Sequence, residues 1–173
     1  MSNFLQQVPT LAGVILGALA TILATTYAER SQWRRKHAVR WDEKRLEAYA
    51  QYAETLRHLH FVAMRMSASS RPGARSQPLD QAIGEELISE GEAARGRAME
   101  SVLMLGDAEV VSAARQWRRA VLTLELFARG LLENPAPWAD LNAEADRARD
   151  QYYLATRRSL GVTDPALGRQ RLD

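Results

Sequence analysis

From residue 46 onward the apolar positions recur three and four apart, the spacing of one helix face, and nowhere alternate as a half-buried strand would. Leu46, Tyr49, Ala53, Leu56, His60 and Ala63 open the pattern, and Tyr52, Leu59 and Met66 widen its stripe. The pattern predicts a first helix from about Arg30 to Met66, which is free to continue into the apolar segment before it because nothing between Ala28 and Val39 is Pro or Gly. Residues 67–78 (SASSRPGARSQP) carry no apolar period and predict a flexible loop open to proteolysis. A second helix is expected over 79–105, although Gly84, Gly91 and Gly96 each cost about 1 kcal/mol against Ala. Gly106-Asp107 reads as a stop followed by a start, because Gly suits a left-handed residue after a helix and Asp accepts from the free N–H groups of the next. Val110, Ala114, Trp117, Val121, Leu124, Ala128 and Leu131 then repeat at four and three, until Asn134-Pro135-Ala136-Pro137 closes that helix. Trp138, Leu141, Ala145, Ala148, Tyr152, Ala155 and Ser159 form the last stripe, Leu160-Gly161-Val162 predicts a Schellman-type stop, and 163–173 is expected to be a frayed tail.

The first 28 residues are of another kind, since none carries a side-chain charge, whereas Glu29 to Arg45 hold seven Lys/Arg and three Asp/Glu. Val8 to Tyr27 is an apolar run of 20 residues, which as a helix at about 1.5 Å per residue matches the roughly 30 Å hydrocarbon layer of a bilayer. Pro9 falls in the first turn, where its missing N–H breaks no intrahelical bond. A cleaved signal peptide is the rival reading, with Thr26-Tyr27-Ala28 as a tolerable site. Against it stand an n-region without Lys or Arg, a long apolar run, and positive charge that follows the run instead of preceding it. Residues 1–28 are therefore expected to be a transmembrane anchor. Arg30, Arg34, Arg35, Lys36 and Arg40 hold the following chain on the cytoplasmic side of an inner membrane, with the N-terminus outside. Tyr27 and Trp33 suit the aromatic belt at the interface. Gly13 and Gly17, continued by Thr21, give a strip on which two such helices can approach closely.

The expected architecture is thus all-α: an N-terminal transmembrane helix, a basic neck and first helix over 29–66, a loop over 67–78, and the remaining helices of an antiparallel bundle of about four over 79–162. Trp117 and Trp138 are expected in its core.

Composition narrows the chemistry. The 173 residues include no Cys, which removes disulfides, Cys-ligated metals and thiol nucleophiles together. Only two of the 23 basic residues are lysine, and that preference for Arg follows from codon bias as readily as from guanidinium chemistry. No GxSxG, GxxxxGK, GxGxxG or HExxH occurs. A bundle raises the question of a di-iron site, but His37, His58 and His60 share one helix and none follows a Glu by three. His58 and His60 point about 200° apart and cannot chelate together; His60, on the apolar stripe, is expected to be a structural residue bonded to a neighbouring helix. Glu85, Glu86, Glu90 and Glu92 read as a solvated face. The Arg and Lys of the basic run suit contact with an anionic inner leaflet, and its interruption by Asp42, Glu43 and Glu47 argues against nucleic acid. No cofactor is called for.

Arg40-Trp41, Lys44-Arg45, Tyr49, Trp117, Ala128-Arg129-Gly130, Tyr152-Tyr153 and Leu160-Gly161-Val162, set behind a short apolar anchor and an Arg-rich stretch, resemble the uncharacterised single-pass helical membrane proteins common in actinobacteria. The resemblance implies a bacterial inner-membrane setting and an all-helical cytoplasmic part, and carries over no catalytic residue. Trp41, Arg45 and Tyr49, four apart, read as a packing and lipid-proximal seam. Two functions fit. One is a non-enzymatic, membrane-anchored helical module that binds a protein partner or a second copy of itself. The other is an effector that oligomerises through Gly13 and Gly17 and acts on the membrane through its span.

Overall fold

The computed structural model describes residues 41–71, 73–133 and 135–162, and the regular structure among them is entirely helical. The chain divides into two compact units, Met1–Glu43 and Lys44–Asp173. Of the first, residues 41–43 are described; they are helical and exposed, Trp41 among them. The expected anchor at 1–28 and the tail beyond Val162 lie outside the described residues. Within them no helix is long and apolar enough to cross a membrane.

The second unit is a bundle of four helices: α1 (44–66 of a helix described from 41), α2 (Gln81–Leu105), α3 (Ala108–Ala128) and α4 (Trp138–Ser159). Its topology follows from which ends meet. Tyr49, near the start of α1, donates or accepts a 3.1 Å bond with Ser159 at the end of α4, and its backbone carbonyl accepts from the Tyr152 hydroxyl at 3.0 Å. At the other end of α1, Met66 lies over Gly84 near the start of α2, and His60 meets Asn142 near the start of α4. Helix α1 is therefore antiparallel to α2 and α4 and parallel to α3, in up-down-up-down order.

An aromatic centre fixes α1, α3 and α4 together. Trp117 packs on Tyr52, Tyr152 and Tyr153 with centroids 5.4–6.4 Å apart, and the first three are fully buried. The two buried tyrosines keep their hydroxyls satisfied by bonding main-chain carbonyls of other helices, Tyr52 to Ala114 at 2.8 Å and Tyr152 to Tyr49. Burial pushes the Tyr52 phenol up to about 12 and that of Tyr152 higher still, so both act as permanent donors. Trp117 Nε1 has no hydrogen-bond partner among the described residues, and the ring contributes packing.

The glycines of α2 are explained by how closely α1 approaches. A Cβ on Gly91 would stand 2.5 Å from Leu59 Cδ2, and one on Gly84 would stand 2.4 Å from Met66 Cγ. Gly96, by contrast, faces open space. Gly106 departs from the left-handed expectation: its φ is −82° and its ψ 149°, and what excludes a side chain there is the Val102 carbonyl, 2.7 Å from where a Cβ would be. Asp107 caps α3 as expected, accepting from the Val110 N–H at 2.9 Å, and Asp80 caps α2, which begins two residues later than the pattern implied.

Four further expectations are corrected. Leu46 and Leu131 are exposed rather than in their stripes. For Leu131 the cause is a Schellman stop at left-handed Gly130, closed by Leu131 N–H to Leu126 O and Gly130 N–H to Phe127 O, which ends α3 before the proline run. Trp138 is half-buried, edge-on to Phe127, with the Arg71 guanidinium 4.3 Å from its ring centroid. Residues 67–78 are anchored more than a structureless loop would be. They open with a 3-10 turn at Ser67–Ser70, in which Ser67 and Ala68 are buried. Arg71 donates to the Met64 and Ser67 carbonyls, and the Leu79 N–H returns to Arg65 O. The Gly161 stop of α4 matches its expected form, with Val162 N–H to Arg157 O at 2.8 Å.

Candidate functional site

All the residues named from sequence for the membrane interface (Tyr27, Arg30, Trp33, Arg34, Arg35, Lys36, Arg40) and for helix association (Gly13, Gly17, Thr21) lie outside the described residues. Of the Trp41, Arg45, Tyr49 seam, Tyr49 is buried, Arg45 half-buried and Trp41 exposed. Among the described residues no three His, Asp or Glu side chains converge as metal ligands. His60 Nε2 meets Asn142 Oδ1 at 2.8 Å, and Asn142 continues to Asp146 and Arg149, a polar seam between α1 and α4.

The most unusual chemistry lies between α2 and α3. Arg95 donates from Nη1 to Glu125 Oε1 at 2.8 Å, with Arg95 6% and Glu125 0% exposed. Glu92, one turn before Arg95, stands 3.6 Å from its Nη2. Glu125 Oε2 has no hydrogen-bond partner among the described residues. Burial pushes the Glu125 carboxyl above its ordinary value and Glu92 adds to that, while Arg95 and Arg129 pull it down without cancelling the effect. Sequence reading missed this pair. The available signal was a Glu in the run Leu124-Glu125-Leu126, at a position that the stripe carries inward.

Above the pair the surface opens into a groove of about 620 Å³ between α2 and α3. It exists because α3 packs along α4 far more extensively than along α2, and because Gly96 places no side chain there. Its floor is apolar, from Met99, Leu103 and Leu122; Glu92 and Glu100 stand on the α2 side, and Arg115 and Arg118 on the α3 side. Arg95 also lines it from α2 but is turned into its pair with Glu125, so the exposed charge is acidic along α2 and basic along α3. Of the four glutamates read from sequence as a solvated face, Glu92 alone lines it.

A second polar cluster lies at the α2–α3 corner. Asp107 is held below the usual carboxylate range by the Val110 N–H, with further help from the Ser159 hydroxyl and the Arg45 charge. Ser159 in turn bonds Tyr49, and Arg158 pairs with Glu109. This joins the start of α1, the α2–α3 corner and the end of α4 as a structural clasp.

No family model matches the chain, and neither a curated protein nor a solved structure matches it.

Proposed function

We propose that the protein is a single-pass, membrane-anchored helical interaction module, with its N-terminus outside and its bundle on the cytoplasmic side. The observation that carries this is the charge asymmetry of the N-terminal region: no charged side chain through Ala28, then seven Lys/Arg within the next 17 residues. The bundle supports the interaction role. Its interior is occupied by the aromatic centre and the Arg95–Glu125 pair, while the α2–α3 groove is open and bordered by charges of both signs. Such a surface suits a protein partner better than an enclosed small molecule. The resemblance to single-pass actinobacterial proteins points the same way.

The test is extraction of native membranes with alkaline carbonate and then with detergent. The chain is expected to stay in the pellet through carbonate and to come out with detergent; release by carbonate alone would overturn the proposal. Gly17→Ile separates this reading from a membrane effector acting through its span. The substitution is expected to leave partner capture by the bundle intact, whereas an effector would lose its action on the membrane.

A further inference from the structure

We infer that the α2–α3 groove is a self-association surface, occupied by the same face of a second copy related by a two-fold axis running along the groove. Glu92 and Glu100 border the groove on the α2 side and Arg115 and Arg118 on the α3 side, with Met99, Leu103 and Leu122 between them. Among the described residues, Glu100, Arg115 and Arg118 hold no ion pair, although all are exposed. An acidic rim and a basic rim on either side of an apolar floor are self-complementary under one symmetry operation.

Two in-plane axes are available, and they differ in sign. An axis across the groove lays α2 on α2 and α3 on α3, so that Glu meets Glu and Arg meets Arg. An axis along the groove exchanges the sides, placing the acidic rim of each copy on the basic rim of the other while keeping heights along the helices unchanged. Heights then decide the pairs. Glu100 precedes Gly106 by six residues and Arg115 follows Asp107 by eight, so at about 1.5 Å per residue the two stand about 3 Å apart in height. Long side chains lean toward their own helix N-termini, which brings the Glu carboxylate and Arg guanidinium toward one another. Under this axis each copy's Glu100 faces Arg115 of the other, twice per dimer.

The same axis leaves both copies of α1 starting at the same end. Two chains held in one bilayer with one topology require that, and to this extent the inference rests on the membrane reading. The open space at Gly96 has a role in this arrangement, because it lets the second copy approach the floor near the axis.

The absence of Cys makes a direct test possible in the full chain in native membranes. Gly96 lines the groove, so the two copies of Gly96→Cys lie on opposite sides of the axis within reach of a short bis-maleimide, which should join them, whereas Glu144→Cys, exposed on α4, should not be joined. Adding Arg115→Glu or Glu100→Arg to Gly96→Cys should lower the cross-linked fraction about tenfold, and adding both should restore it. Melting curves of the same variants check that each is folded. Equal cross-linking from Gly96→Cys and Glu144→Cys would overturn the inference. So would single reversals without effect, a double reversal that fails to recover, or a Gly96→Cys product joined to a foreign chain. Carbonate extraction of the same samples keeps the two claims apart. A chain that stays in the pellet without cross-linking refutes the self-association alone, and one that washes off yet cross-links refutes the anchor alone.

Discussion

Replacing Arg95 by Met removes the hydrogen-bond partner of a carboxylate that is 0% exposed, and leaves both its oxygens without a donor. The cost can be bounded. If Glu125 stayed ionised, the penalty would be that of an unpaired buried charge; instead the carboxyl takes up a proton once that is cheaper. Protonation at pH 7 of a group whose unfolded value is 4.5 costs about 3.4 kcal/mol at 1.36 kcal/mol per pH unit, and at pH 5 the same step costs about 0.7 kcal/mol. The already raised value of Glu125 in the parent means that part of this is present before mutation. Adding about 1 kcal/mol for the lost hydrogen bond, Arg95→Met should destabilise by about 2–4 kcal/mol at pH 7 and by about 1–2 kcal/mol at pH 5. For a chain of this length that is a fall in Tm of roughly 4–16 °C at neutral pH. The sign in the parent is consistent: a raised carboxyl contributes stability fully present below its unfolded value, which is lost as pH rises through its folded value. Replacing both partners, Arg95→Met with Glu125→Leu, removes both desolvation costs and should return stability to within about 1 kcal/mol of the parent, or above it. Thermal melts of the purified chain at the two pH values give all the numbers. A penalty for Arg95→Met that is the same at pH 5 and pH 7, or a double variant as weak as the single, would show that Glu125 is not a buried charge held by Arg95.

Three other outcomes follow from the packing. Gly91→Ala should destabilise by about 1–2 kcal/mol, because its Cβ overlaps Leu59, whereas Gly96→Ala should stabilise by about 0.5–1 kcal/mol; equal effects in a melting experiment would show that α1 does not approach α2 as described. Asp107→Ala should cost about 1 kcal/mol at pH 7. Since the Asp107 carboxyl is held low, its stabilisation is present above the ordinary carboxylate range and fades as pH falls through the folded value, so parent and variant melts should converge in acid. Arg71→Ala removes two carbonyl bonds and the guanidinium over Trp138, and limited proteolysis should then cut within 67–78 several times faster, with an unchanged rate counting against the anchoring.

The helices were legible because their stripes are long: Val110 to Leu124 and Leu141 to Ala155 place the same residues inward in the sequence pattern and in the bundle. Their ends were less so. Gly130 stops α3 while the apolar period runs on to Leu131, so a single left-handed glycine outweighs one more apolar residue. The glycines of α2 looked like a weakness of that helix, since propensity counts only what a residue does to its own backbone; Gly84 and Gly91 instead make room for Met66 and Leu59 of another helix. The Arg95–Glu125 pair and the groove were hidden for a similar reason. Each depends on residues 30 or fewer positions apart being brought face to face by a corner whose angle no periodicity encodes. The loop was misjudged because Arg71 reads as a loop cation until Trp138 and the Met64 carbonyl are placed beside it.

The central claim is that lipid surrounds the charge-free N-terminal run, with the bundle on the cytoplasmic side. The most direct measurement uses single-cysteine chains, Ser2→Cys and Ser89→Cys, in intact cells exposed to a membrane-impermeant maleimide. Labelling is expected at position 2 in intact cells and, at position 89, only after the cells are opened. Labelling of Ser89→Cys in intact cells, or protection of both positions in a chain recovered free of membranes, would contradict it.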